Sequence, residues 1–125
     1  MAKKKYTFVV LTNPTAGNEA EYNRWYDEQH IPDVLKASGF VRAQRFKLAD
    51  AQMAPDGDKT HRYLALYEIE TDDVAASLKD LASRAGTADM IMSDAIDVKG
   101  ASARIFEPIA EVVEASAVAR ASRAA

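Results

Sequence analysis

The chain has 125 residues, 48% apolar and 28% charged, with a net charge of -3. That is the size of one domain and the composition of an ordinary water-facing protein, with no general attraction to phosphate backbones, so no nucleic-acid partner is expected. Cysteine is absent, which excludes disulfides, thiolate metal sites and thiol nucleophiles, and with only two histidines, His30 and His61, a zinc or iron site would have to lean on carboxylates, so no metal or cofactor is expected. Neither a signal-peptide core nor an apolar run of about 20 residues occurs, so no membrane association and a cytoplasmic location are expected.

In chain order, Lys4 to Thr12 is rich in β-branched and aromatic residues and ends at the turn signal Asn13-Pro14, which predicts a buried first strand. Asn18 and Glu21 have the spacing of a capping box at the start of a helix. Along that helix Asn18, Tyr22, Trp25, Tyr26 and Gln29 share one sector, with His30 at its edge. Pro32 disfavours the helical conformation at Ile31 and removes a donor, so the helix should end or kink at Gln29 to Ile31. His30 is thereby expected at a helix C-terminus, where the dipole favours its protonated form. A short helix from Pro32 to Ser38 should follow, closed by Gly39.

Phe40 to Leu48 alternates with Phe40, Arg42, Gln44, Phe46 and Leu48 on one side. Its opposite side holds Val41, Ala43, Arg45 and Lys47, which reads either as a solvated edge strand or as an anchor at Arg45 for an anion or carbonyl. Ala49 to Thr60 is a polar loop, with His61 at its far end as a surface residue. Arg62 to Ile69 is apolar on both faces, so both must be covered. Asp72 is placed to cap a second helix bearing Val74, Leu78, Leu81, Ala82 and Ala85 on one stripe and ending at Gly86. Met90 to Val98 is either a short helix over a pocket mouth or a covering loop, and Ala103 to Ile109 is a fourth strand ended by Pro108. The alanine-rich Ala110 to Ala125 is either a frayed helix, a tail docked on a partner, or disordered, so the domain proper is expected to run from residue 1 to 109.

The predicted order, strand, helix, strand, strand, helix, strand, implies an α+β ferredoxin-like βαββαβ fold, a split βαβ arrangement with a four-stranded antiparallel sheet and both helices on one face. The other sheet face then lacks cover, and a second copy of the sheet supplies it most simply, which predicts a homodimer.

The motif Trp25-Tyr26-x-x-x-His30-Ile31-Pro32-x-x-Leu35, on the first helix of a chain with this strand order, resembles the dimeric α+β barrel superfamily. Within it the chain is most similar to proteins grouped with EthD, the ethyl tert-butyl ether degradation protein, and to related small uncharacterised proteins, over Lys4 to Ile109. The resemblance implies a flat hydrophobic ligand held between sheet and helices, by Tyr22, Trp25, Tyr26, Gln29 and His30 from the helix and Phe8, Arg45, Tyr63 and Tyr67 from the strands.

On that basis the leading expectation is a cofactor-independent isomerase, cyclase or lyase acting on a small aromatic or polyketide-like substrate. His30 would be its general base or acid, and Tyr26 or Tyr67 would donate to a developing oxyanion. One alternative is a cofactor-free monooxygenase of a phenolic substrate, and another is a noncatalytic small-molecule-binding or accessory protein of a catabolic pathway.

Overall fold

The computed structural model describes residues 3–54 and 56–118. Four strands, β1 (Lys4–Thr12), β2 (Phe40–Lys47), β3 (Tyr63–Thr71) and β4 (Ser102–Phe106), form one antiparallel sheet in the order β2-β3-β1-β4. Two helical segments separate them: α1 (Glu19–Trp25) running through a π turn into α2 (Ile31–Val34), and α3 (Val74–Arg84). This is the expected ferredoxin-like βαββαβ order, with the long central pair β1 and β3 carrying the register and the short β4 on an edge. Among the described residues no helix is long and apolar enough to cross a membrane.

Strand alternation decides which side is the core. On β3, Tyr63, Ala65, Tyr67, Ile69 and Thr71 are buried, and they face Thr12, Val10, Phe8 and Tyr6 across the β1 register. Tyr22, Trp25 and Tyr26 from the first helix complete this core, and α3 joins the same face through Ser77, whose hydroxyl donates to Thr71 Oγ1 at 3.1 Å. The opposite sheet face carries Val9, Leu11, Leu64 and Leu66, which stay only partly buried, and Phe46 and Phe106, which are exposed.

Several local expectations are corrected. Helix α1 has no side-chain cap: Asn18 sits at φ -113°, ψ 22°, outside the extended region a capping residue uses, and its Nδ2 donates to Thr15 Oγ1 instead. Glu21 pairs with Arg24 rather than reaching back, so the capping box does not form. The second helix is capped one residue later than expected, by Asp73, which accepts from Ala76 N at 3.1 Å. In its stripe Ser77 is the fully buried residue, while Val74, Leu78 and Leu81 are half-buried and Ala82 and Ala85 exposed.

On β2 a bulge between Phe40 and Arg42 flips the alternation, so Phe40 turns to the core against Phe8 and Tyr67 while Arg42, Gln44 and Phe46 face outward. Gly39 sets up this entry. Its φ of +84° is left-handed, and a Cβ there would lie 2.9 Å from Ser77 Oγ and 3.2 Å from the Glu70 carbonyl.

Residues 90–98 form no helix. They run as an irregular strap tied by Thr15 N to the Ala95 carbonyl and Asp97 N to the Asn13 carbonyl, with Met90, Ala95 and Ile96 buried beneath it. Beyond β4 residues 107–118 are exposed, with one helical turn at residues 115–118. The expectation for the rest of the alanine-rich tail, and for Pro55 in the long loop, lies outside the described residues. His61 is half-buried, its Nε2 2.6 Å from the Gly100 carbonyl.

Candidate functional site

The chain does not break at Pro32. Tyr26–His30 form a π turn, in which Ile31 N–H reaches the Tyr26 carbonyl, and the helix continues through α2 to Val34. The wider turn accommodates proline because Pro32 has no N–H to place and the added residue relieves its ring against the preceding turn. His30 therefore lies inside a continuous helix, at φ -71° and ψ -50°, not at a C-terminus. The wider turn also brings its ring back onto the face that carries Trp25 and Tyr26.

There the imidazole stacks on the Trp25 indole, with ring centres 4.5 Å apart and planes 23° apart, and meets Tyr26 edge to face at 5.1 Å. Trp25 is itself pinned, its Nε1 donating to the Ile91 carbonyl of the strap at 3.0 Å. Burial moves the His30 pKa opposite to the dipole expectation, down to about 4, with the negative charge of Asp33 opposing the fall in part. His30 is thus a neutral imidazole at neutral pH. Asp33, which pattern reading passed over, is buried one turn away and accepts from Gln29 Nε2 at 2.8 Å.

Next to this ring is a cavity of about 230 Å³ between α3, the strap and the sheet. Phe8, Val10 and Tyr67 line it from the central strands, His30 and Val34 from the first helical segment, Leu81 from α3 and Met90 from the strap. Two buried polar atoms have no hydrogen-bond partner among the described residues, His30 Nδ1 and Tyr67 Oη, and both belong to residues that line this cavity. Tyr67 is 1% exposed, and burial together with the Tyr26 phenol beside it pushes its ionisation far above the usual range, so it stays a donor.

The other expected site residues lie behind this pair. Tyr22, Tyr26 and Tyr63 surround the Arg45 guanidinium, which stands 4.5 Å from the Tyr26 ring centre and 5.4 and 5.6 Å from those of Tyr22 and Tyr63. Asp27 and Asn23 each accept a hydrogen bond from it at 2.8 Å. Arg45 is therefore neither a solvated edge residue nor a free anchor for an anion. Thr12 Oγ1 and Tyr22 Oη are 2.5 Å apart, and burial lifts the Tyr26 phenol to about 12. Tyr63 donates to Glu19, which also pairs with Arg62.

Of the nine expected residues the structure brings His30, Tyr67 and Phe8 to the cavity wall. Tyr26 and Trp25 touch His30 from behind, while Tyr22, Tyr63, Arg45 and Gln29 do not line the cavity. Reading the sequence missed Met90, Met92 and Ala103 as lining residues. Their small or flexible side chains carry no signal of their own, and only the antiparallel register opposing Ala103 to Val10 places β4 there.

A family model described as a domain of unknown function, DUF4286, matches residues 5–84. The chain belongs to this family. The match runs from β1 to the end of α3, so it contains His30 and Tyr67 and leaves the strap and β4 outside. No curated protein matches the chain.

Proposed function

We propose that this DUF4286-family protein is a cofactor-independent acid–base enzyme, of isomerase, cyclase or lyase type, with His30 as general base and Tyr67 as donor to a developing enolate or phenolate oxygen. The observation that carries the reading is the pair of buried, unpartnered polar atoms, His30 Nδ1 and Tyr67 Oη, on residues that share one apolar cavity. A proton acceptor and a neutral hydroxyl donor, in a site that holds little else polar, are the two groups that proton abstraction beside a carbonyl requires. Of the two tyrosines considered as donor, Tyr67 is preferred over Tyr26 because it lines the cavity. Burial has already removed the imidazole's proton, so the base is in its working form at any pH above about 5. A hydrophobic partner for the outer sheet face, and the resemblance to EthD-like dimeric α+β barrels, belong to the same reading.

The test is proton exchange in deuterated buffer with a panel of small enolisable ketones and phenols, followed by NMR. Wild type is expected to exchange at least one member above the buffer rate, and His30→Ala is expected to lose that excess. Oxygen uptake during the same incubation would mark the monooxygenase chemistry instead. One observation favours a noncatalytic binding protein: a base with a pKa near 4 has little driving force for proton abstraction. That reading predicts saturable binding with no exchange at all.

The homodimer is proposed to form across Val9, Leu11, Leu64, Leu66, Phe46 and Phe106, a patch that would otherwise leave apolar side chains facing water. Light scattering behind size exclusion is expected to give twice the chain mass, and Leu66→Glu, which puts a charge at the centre of the patch, to give the single mass. A wild-type monomer at high protein concentration would dismiss the dimer.

A further inference from the structure

The cavity wall narrows what that same site can hold, and the argument rests on the proposed function only for the choice of site. Its polar contribution comes from two side chains, His30 and Tyr67, one neutral acceptor and one neutral donor. Among the described residues no cation lines it, and the Arg45 guanidinium behind Tyr26 is taken up by Asp27 and Asn23. A carboxylate or ammonium entering here would lose its hydration with no counter-charge in the wall, which is strongly unfavourable.

Size is limited as well. An apolar cavity of about 150 Å³ holds a benzene ring. This cavity of about 230 Å³ has room below its rim for a ring with one or two substituents, and a second and third fused ring would have to pass out between the rim residues.

Burial along the wall also shows where the opening is. Tyr67, Val34 and Met90 are each 1 to 2% exposed and form the floor. Ala82, Ala85, Met92 and Ala103 are exposed and form the rim, between the end of α3, the middle of the strap and the edge strand β4. Three of these four are alanines, so the mouth is kept open by small side chains.

We infer that the His30–Tyr67 cavity is a binding site for an uncharged single-ring compound carrying one hydroxyl or carbonyl oxygen, admitted past a rim in which Ala103 and Ala85 set the size limit. The oxygen would accept a hydrogen bond from the Tyr67 hydroxyl or, in a hydroxyl ligand, donate one to His30 Nδ1, and the ring would lie against Phe8, Val34 and Met90.

The full-length protein offers its own reporter, since Trp25 is its one tryptophan and stacks on His30. Trp25 fluorescence and calorimetry are to be followed during titration with phenol, with benzoate and with the three-ring ketone anthrone. Phenol is expected to bind saturably, at least about tenfold more tightly than benzoate, with no binding of anthrone. Ala103→Phe is expected to weaken phenol binding about tenfold or more by placing a ring in the mouth, and Ala85→Leu on the exposed end of α3 gives a second blocked rim should the first variant fail to fold. Benzoate binding as tightly as phenol, tighter binding of anthrone, or unchanged phenol affinity in a folded rim variant would each overturn the inference. Binding is measured without turnover, so the two readings fail separately. Phenol bound but no exchange catalysed removes the enzyme and leaves this site, whereas exchange confined to carboxylate or three-ring substrates removes this site and leaves the enzyme.

Discussion

Acidification from about pH 7 to about pH 4 is expected to weaken the wild-type fold by about 3 kcal/mol more than it weakens His30→Phe. The difference follows from one proton. His30 has an ordinary value of 6.5 and is held at about 4 in the fold, because its ring is enclosed by Trp25, Tyr26 and the apolar cavity wall. Between those two values the unfolded chain binds a proton that the folded chain refuses, so stability is complete above about pH 6.5 and is lost as the pH falls toward 4.

Other groups lose stability in acid too. Glu19, Glu21, Asp58 and Asp80 are each held below the usual carboxylate range by hydrogen bonds and, for Glu19, Glu21 and Asp80, ion pairs. Their contribution is lost as the pH falls below their ordinary values, 4.5 for the glutamates and 3.8 for the aspartates, and it is common to both proteins, so it cancels in the comparison. Asp33 is the negative group facing His30, and its charge already limits the depression. Urea unfolding of the two proteins at several pH values measures the gap. Parallel stability curves would mean that the imidazole is protonated or solvated in the folded protein, and the base assigned to it would be lost with that.

The same imidazole shows where reading the sequence works and where it stops. Strand order, the alternation of β3 and the aromatic stripe were legible because they depend on period and helical spacing, which the chain carries locally, whereas the side of β3 that became the core, with Tyr63, Ala65, Tyr67 and Ile69, was not legible because both of its faces are apolar. Pro32 misled because its two local effects, a missing N–H and a clash with the preceding turn, do have a helical solution in a π turn, and nothing in the residue types distinguishes that solution from a break. Once the helix continued, the dipole argument for His30 had no terminus to act on, and burial decided its charge. Arg45 was ambiguous for a similar reason. Whether a guanidinium on an edge strand faces water, a ligand or a ring depends on the helix laid across it, and here Asn23, Asp27 and three tyrosines close around it. Phe40 went to the other face because a bulge is invisible to strict alternation.

Tyr67→Phe is expected to raise stability by roughly 1 kcal/mol and to lower the proposed proton-transfer rate about 10²-fold. These opposite signs are the point of the experiment. A buried hydroxyl that has only the Tyr26 phenol beside it, without a well-formed hydrogen bond, has lost its water and gained little in the fold, at a cost of about 1 to 3 kcal/mol, so removing the oxygen while keeping the ring should relieve the protein. The ring itself must stay, because it packs on Phe8 and Phe40 with centres 5.9 and 6.0 Å away. A tyrosine present only for packing would be replaced by phenylalanine with gain and no loss. If instead the hydroxyl is kept for an oxygen that becomes negative during reaction, its neutral O–H is the donor, and its strongly raised pKa keeps the proton on the phenol throughout the working range. Denaturant midpoints and exchange rates on the same two preparations decide the matter. A stability fall of about 1 kcal/mol would show that the hydroxyl has a native partner, and an unchanged exchange rate would take Tyr67 out of the chemistry and leave His30 to act alone.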